Sequence, residues 1–149
     1  MSLNDWAKAG WLKAHQPTRA QVAAILGVVE RDWEDSGRNL SPDGQFNIAY
    51  NAALQLCAIV LLAEGWRPDK LNAHHRTIAA LPEILGPQWR DGADYLDACR
   101  SKCNGLEYDA AGRVSAAEAK ELRKFAAELR DAVVAWLGRT HPELSPWKK

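Results

Sequence analysis

From Leu56 to Ala63 the chain is apolar at every position, inside a segment that opens at Ser41-Pro42 and closes at Gly65. A serine cap followed by proline at the first helical position is a start signal, and glycine after the last turn is a stop signal. Between them Phe46, Tyr50, Leu54, Cys57 and Leu61 recur at helical spacing. A helix that is apolar nearly all round has to be covered on most sides. This segment therefore reads as the central helix of a domain, and the other elements must be arranged to enclose it. The uninterrupted apolar run is too short to span a bilayer, which takes about 20 residues, so no membrane partner is expected.

The remaining segments carry the same periodicity, and period-2 alternation is absent. Residues Leu3 to His15 read as a short helix carrying Trp6 and Trp11, ended by Pro17. Thr18 with Gln21 forms a capping box for a helix that places Val22, Ile25, Leu26, Val29 and Trp33 on one face and runs out near Ser36-Gly37. Asn72 to Leu85 reads as a short helix that Pro82 bends, broken by Gly86-Pro87, and a longer helix follows from about Gln88 to Glu107. Ser115 with Glu118 caps a last helix whose face holds Leu122, Phe125, Ala126, Leu129, Val133, Trp136 and Leu137, with Gly138 as its end. The expected fold is all-α: an antiparallel up-and-down bundle of four main helices plus one or two short ones. One domain spans residues 1–139, and Thr140 to Lys149, with two prolines and no periodicity, reads as a loosely ordered tail.

Composition narrows the function classes. The 149 residues include 19 basic and 19 acidic side chains, so the chain lacks the broad basic field of a sequence-independent nucleic-acid binder, though a local basic patch is compatible with it. Three cysteines without a signal peptide point to a reducing, cytoplasmic setting. Seven tryptophans indicate either a heavily packed core or an aromatic surface used in association.

The segment Asp94 to Asp109, DYLDACRSKCNGLEYD, concentrates the chemistry. At helical spacing Leu96, Cys99, Cys103 and Leu106 form an apolar stripe, and Arg100, Asn104 and Tyr108 form a polar stripe beside it. On the central helix Asn47, Asn51 and Gln55 make a second polar line, whose economical partner is the Arg100 stripe. The two lines read first as a buried network that fixes helix register and second as a pocket floor. The adjacent pair His74-His75 points about 100° apart on a helix, so one of them at most faces a given cleft. Cys99 and Cys103, one turn apart, could bind zinc with these histidines, but the spacing is not a zinc knuckle and packing is the better reading. No metal or cofactor is expected. There is no phosphate loop after a strand and no serine nucleophile elbow.

In order and spacing, NIAYNAALQLCAIVLLAEGWRP, AHHRTIAALPEILG and DYLDACRSKCNGLEYDAAGRVSAAEA together resemble the HEPN superfamily of small helical proteins. The likeness runs from about Phe46 to Leu137 and is nearest to stand-alone bacterial members with A-Y-N-A, His-His and R-N-x-x-x-Y-D pieces. It implies a helical bundle, a homodimer, and a module that binds RNA, a nucleotide or a partner protein. The setting it implies is a toxin paired with a nucleotidyltransferase-type antitoxin, or a defence system. Many members are metal-independent endoribonucleases whose signature is an arginine, a polar residue and a histidine.

With Asn104 at the polar position, Cys103 stands at the arginine position and Tyr108 at the histidine position. A thiol cannot form a bidentate fork to phosphate, and a phenol is a poor base at neutral pH. Arg100, one turn upstream, is the substitute cation, and Lys102 is near on a different face. The resemblance thus implies a variant site of Arg100, Asn104 and Tyr108, with Asn47, Asn51, His74, His75 and Lys102 lining its cleft and weak or no ribonuclease activity. The alternatives are an active endoribonuclease built on the variant site, or a structural interaction domain using Trp6, Trp11 and Trp147.

Overall fold

A computed structural model describes residues 2–108 and 114–146, with the backbone alone for 104–108. The chain is mostly helical: α1 (Leu3–Lys8), α2 (Arg19–Ser36), α3 (Pro42–Ala63), α4 (Ala73–Leu85), α5 (Arg90–Tyr108) and α6 (Ala116–Thr140). Two short strands, β1 (Leu12–Ala14) and β2 (Trp66–Pro68), pair antiparallel, with Lys13 opposite Arg67. The capping signals are met: Thr18 and Gln21 cap α2 reciprocally, Ser41 accepts from the Gly44 amide with Pro42 at the first turn of α3, and Ser115 and Glu118 cap α6.

The central position of α3 is borne out. It packs against α2, α4, α5 and α6, and twelve of its residues, from Phe46 to Ala63, are buried. By length and composition the whole of α3 could cross a membrane, but 72% of its most apolar window is buried inside the fold. Around it Val22, Leu26 and Val29 of α2, Ile78 and Leu81 of α4, Leu96 of α5 and Leu122, Leu129 and Val133 of α6 close one core. Burying each such side chain is worth about 1.5–3 kcal/mol relative to leaving it exposed.

Three boundaries differ from expectation. The first helix stops at Lys8 instead of continuing to His15. Gly10 takes φ +84°, a turn that only glycine makes readily. Leu12–Ala14 then pairs with the segment after α3, where Gly65 makes the matching left-handed turn at φ +89°. Here a long-range pairing overrides local helix preference. Gly138 does not end the last helix, which runs to Thr140. Trp136 and Leu137 are buried just before it, and their packing outweighs the roughly 1 kcal/mol a mid-helix glycine costs. The segment from Thr140 read as a loose tail returns to the core as far as Pro146: Leu144 is buried, and Arg19 at the start of α2 donates to the Pro146 carbonyl.

Of the six described tryptophans, two are buried and four are half-buried. Trp6 and Trp136 are buried. Trp6 lies 6.0 Å from Trp11 in a small second core with Leu12, Leu61 and Ala80, and the Arg76 guanidinium sits 3.9 Å from the Trp11 ring. Trp33 donates from its indole to the Arg123 carbonyl and stacks under the Arg123 guanidinium, joining α2 to α6.

Candidate functional site

The apolar stripe of α5 packs inward as its spacing requires: Leu96, Cys99 and Cys103 are all buried. That rotation carries Asp97 and Arg100 to the edge of the helix facing the start of α4. The first turn of α4 lies opposite. Its cap residue Asn72 is left-handed, at φ 56° and ψ 32°, and makes no side-chain cap bond, so the first-turn amides are left without a side-chain acceptor. Lys70, Asn72, Ala73, His74, His75 and Arg100 line an open recess of about 250 Å3 between the two helices.

One oxygen organises this recess. Asp97 Oδ1 accepts from Arg100 Nε at 2.8 Å and meets His75 Nδ1 at 3.0 Å. Partial burial works against the charged form of Asp97, but hydrogen bonds from Arg100 and then His75 outweigh it and hold its carboxyl below the usual carboxylate range. An ionised carboxylate can only accept, so Nδ1 of His75 is the donor in this contact. The Asp97–Arg100 pair neutralises itself, and Lys70 adds a further positive charge on the wall. The first turn of α4 presents the positive end of its helix dipole to the same space. The arrangement suits an anion.

The other expected residues lie elsewhere. Asn51 does not turn toward α5. Its amide donates to Asp32 Oδ2 of α2 at 2.6 Å, and Arg31 Nε donates to Asp32 Oδ1 at 3.1 Å. Asn47 is exposed and outside the recess. The polar line on α3 therefore does not serve as the floor of this recess. The residue of α3 that faces the Arg100 stripe is Tyr50, whose neighbours include Cys103, Arg100 and Asp97. Its hydroxyl is buried and meets no hydrogen-bond partner among the described residues. Burial, and after it Cys103, raises the phenol well above its ordinary range, with Arg100 acting in the opposite sense.

Lys102 points away from the recess. It pairs with Glu118 at the start of α6 and lines a separate hollow with Phe46, Tyr95, Ala98 and Cys99. The side chains of Asn104 and Tyr108 lie outside the described residues, as does Trp147.

The cysteines are packing residues. All three are buried. Burial pushes the Cys57 thiol up to about 12 and the Cys99 thiol up to about 11, the reverse of an activated nucleophile. Among the described residues, no three His, Cys, Asp or Glu side chains gather where they could hold a metal ion. A more apolar recess of about 270 Å3, lined by Val29, Trp33, Ala52 and Ala126 among others, lies between α2 and α6 and contains none of the expected site residues.

The reading from sequence passed over Lys70 and Asp97. Asp97 had a usable signal: it stands three residues before Arg100, the spacing at which a helix brings opposite charges together. Lys70 had none, because only the turn before α4 places it at the recess. Compared with protein-family models, curated proteins and solved structures, the chain matches none of them.

Proposed function

We propose that the chain is a HEPN-like helical module that binds RNA through its phosphates at the recess between α4 and α5. One observation carries the reading: Arg100 stands on the wall of an open, cation-lined recess with Lys70, His74 and His75 rather than sealed in the core. Three further features support it. The chain is helical throughout its main elements, the segments that resemble the superfamily include most of α3, α4 and α5, and the first turn of α4 has no side-chain cap. The net charge of zero limits the grip to this local patch. Pairing of two copies and association with a nucleotidyltransferase-type antitoxin belong to the same reading.

The test is fluorescence anisotropy with a random-sequence single-stranded RNA pool across a salt series. Each phosphate neutralised on a single strand contributes about −0.7 to the slope of log K against log salt. Lys70→Ala weakens binding and flattens that slope, and His74→Ala weakens binding, with the melting temperature unchanged in both. Binding that is absent in the parent protein, or untouched by Lys70→Ala, contradicts the proposal.

A further inference from the structure

We propose that the groove between α2 and α6 is a docking site for a partner peptide that carries one large apolar side chain with acidic residues to one side of it. The proposal is independent of the RNA reading and uses none of the residues of the α4–α5 recess. Two cross-ties join the helices along this groove. Trp33 donates from its indole to the Arg123 carbonyl at 2.9 Å, and the Arg123 guanidinium lies 4.4 Å from the ring centre. Farther along α6, Arg130 Nε donates to Glu30 Oε1 at 2.6 Å. Trp33 is a wall shared by two hollows. On one side is the apolar recess of about 270 Å3, lined by Val29, Ala52 and Ala126. On the other is a more open hollow of about 470 Å3, bordered by Lys120, Arg123 and Lys124.

The two hollows set the chemistry of what fits. The apolar recess is smaller than the roughly 300–1,000 Å3 of small-molecule sites, so it suits one side chain better than a cofactor. Its walls offer methyl groups and an indole, which call for an apolar anchor. The neighbouring hollow is cationic. Lys120 and Lys124 are exposed, stand one turn apart on α6, and have no carboxylate partner among the described residues. Like charges at that spacing repel each other. Arg123 adds a third positive charge, against the single carboxylate of Glu121 on that wall. The excess of cations is complementary to carboxylates on the ligand. An apolar anchor pocket beside a charged rim is a mode by which short peptide segments are held. Nucleic acid fits less well, because its phosphates would leave the apolar recess unfilled and would face Glu30 and Asp131 at that end of the groove.

Selection of a random peptide library displayed on phage against the immobilised full chain tests this. The expected enrichment is for a leucine or aromatic residue with aspartate or glutamate a few positions to one side. A fluorescein-labelled synthetic peptide of the enriched sequence then reports affinity by anisotropy. Lys120→Glu combined with Lys124→Glu should lower that affinity about tenfold or more, and exchanging the peptide's acidic residues for lysine should restore binding to that variant. Ala127→Leu, which fills the apolar recess from its half-buried edge, should lower affinity by about tenfold as well, with thermal melting showing that each variant is folded. No enrichment, enriched sequences without acidic residues, or affinity unchanged in the lysine variant overturns the proposal. So does RNA affinity that falls when Lys120→Gln and Lys124→Gln are combined, which would give the lysines to nucleic acid. Self-association of the native protein that the lysine substitutions abolish overturns it too, because the groove would then belong to a second copy.

Discussion

Arg100 donates from Nε to Asp97 Oδ1 at 2.8 Å, one turn back along α5. Because His75 of α4 meets the same oxygen, a pair local to one helix becomes a joint between two. The joint places the cations of the recess and anchors one edge of the His75 ring, and its removal has a defined pH signature. The folded Asp97 carboxyl sits below its unfolded value near 3.9. Its contribution is therefore complete above that value and is lost as pH falls through the folded value. Asp97→Asn should flatten the acid side of a plot of stability against pH. At neutral pH the loss should be small, about 1 kcal/mol or less, because the pair is partly solvated. Thermal melts from neutral pH down to acid check both.

Asn51 is structural in this account. Its bond to the buried Asp32 carboxylate ties α3 to α2, and hydrogen bonds to charged groups contribute about 1.5–3 kcal/mol. Asn51→Ala should lower stability by roughly 2 kcal/mol on that scale in urea denaturation while leaving RNA affinity unchanged. A loss of affinity at unchanged stability would return Asn51 to the site.

Tyr50 makes the opposite prediction. Its buried hydroxyl has no partner among the described residues, and an unsatisfied buried group costs about 1–3 kcal/mol. Tyr50→Phe should leave the ring packing intact and be neutral or stabilising by about 1 kcal/mol. A marked destabilisation in the same denaturation experiment would mean that the hydroxyl has a partner in solution.

The three thiols should be inert to an aromatic disulfide reagent in the folded protein. They are buried, and the raised Cys57 and Cys99 values leave little thiolate at neutral pH. Labelling should become complete in denaturant, and its rate in water should track unfolding. Fast labelling of one cysteine in native conditions would identify a thiol that the packing leaves open.

Much of the helical frame was legible in the sequence because it depends on local chemistry. Ser41-Pro42, Thr18 with Gln21 and Ser115 with Glu118 each start a helix for reasons contained within four residues. The apolar stripe of Leu96, Cys99 and Cys103 followed from period alone. The strands did not, because β1 exists only through its pairing with β2 more than fifty residues away. The site was legible to the level of its helices. Arg100 shares one recess with both His74 and His75, where adjacent helical positions led at most one histidine to be expected, because the recess is open and bordered by the first turn of α4; the partner expected for Asn51 was on the wrong helix. Adjacent residues on α3 project about 100° apart, so Tyr50 faces Arg100 while Asn51 faces Asp32, and sequence alone does not fix that rotation. Lys70 reaches the recess through a left-handed Asn72 that no periodicity reveals.

Photocrosslinking tests the central claim most directly. RNA carrying 4-thiouridine is bound to the native protein, irradiated, and the modified peptides are identified by mass spectrometry. Crosslinks are expected to concentrate in residues 70–76 and around Arg100 and to diminish in Lys70→Ala. Crosslinks confined to the tryptophan cluster of α1 and β1, with none at the recess, would contradict it.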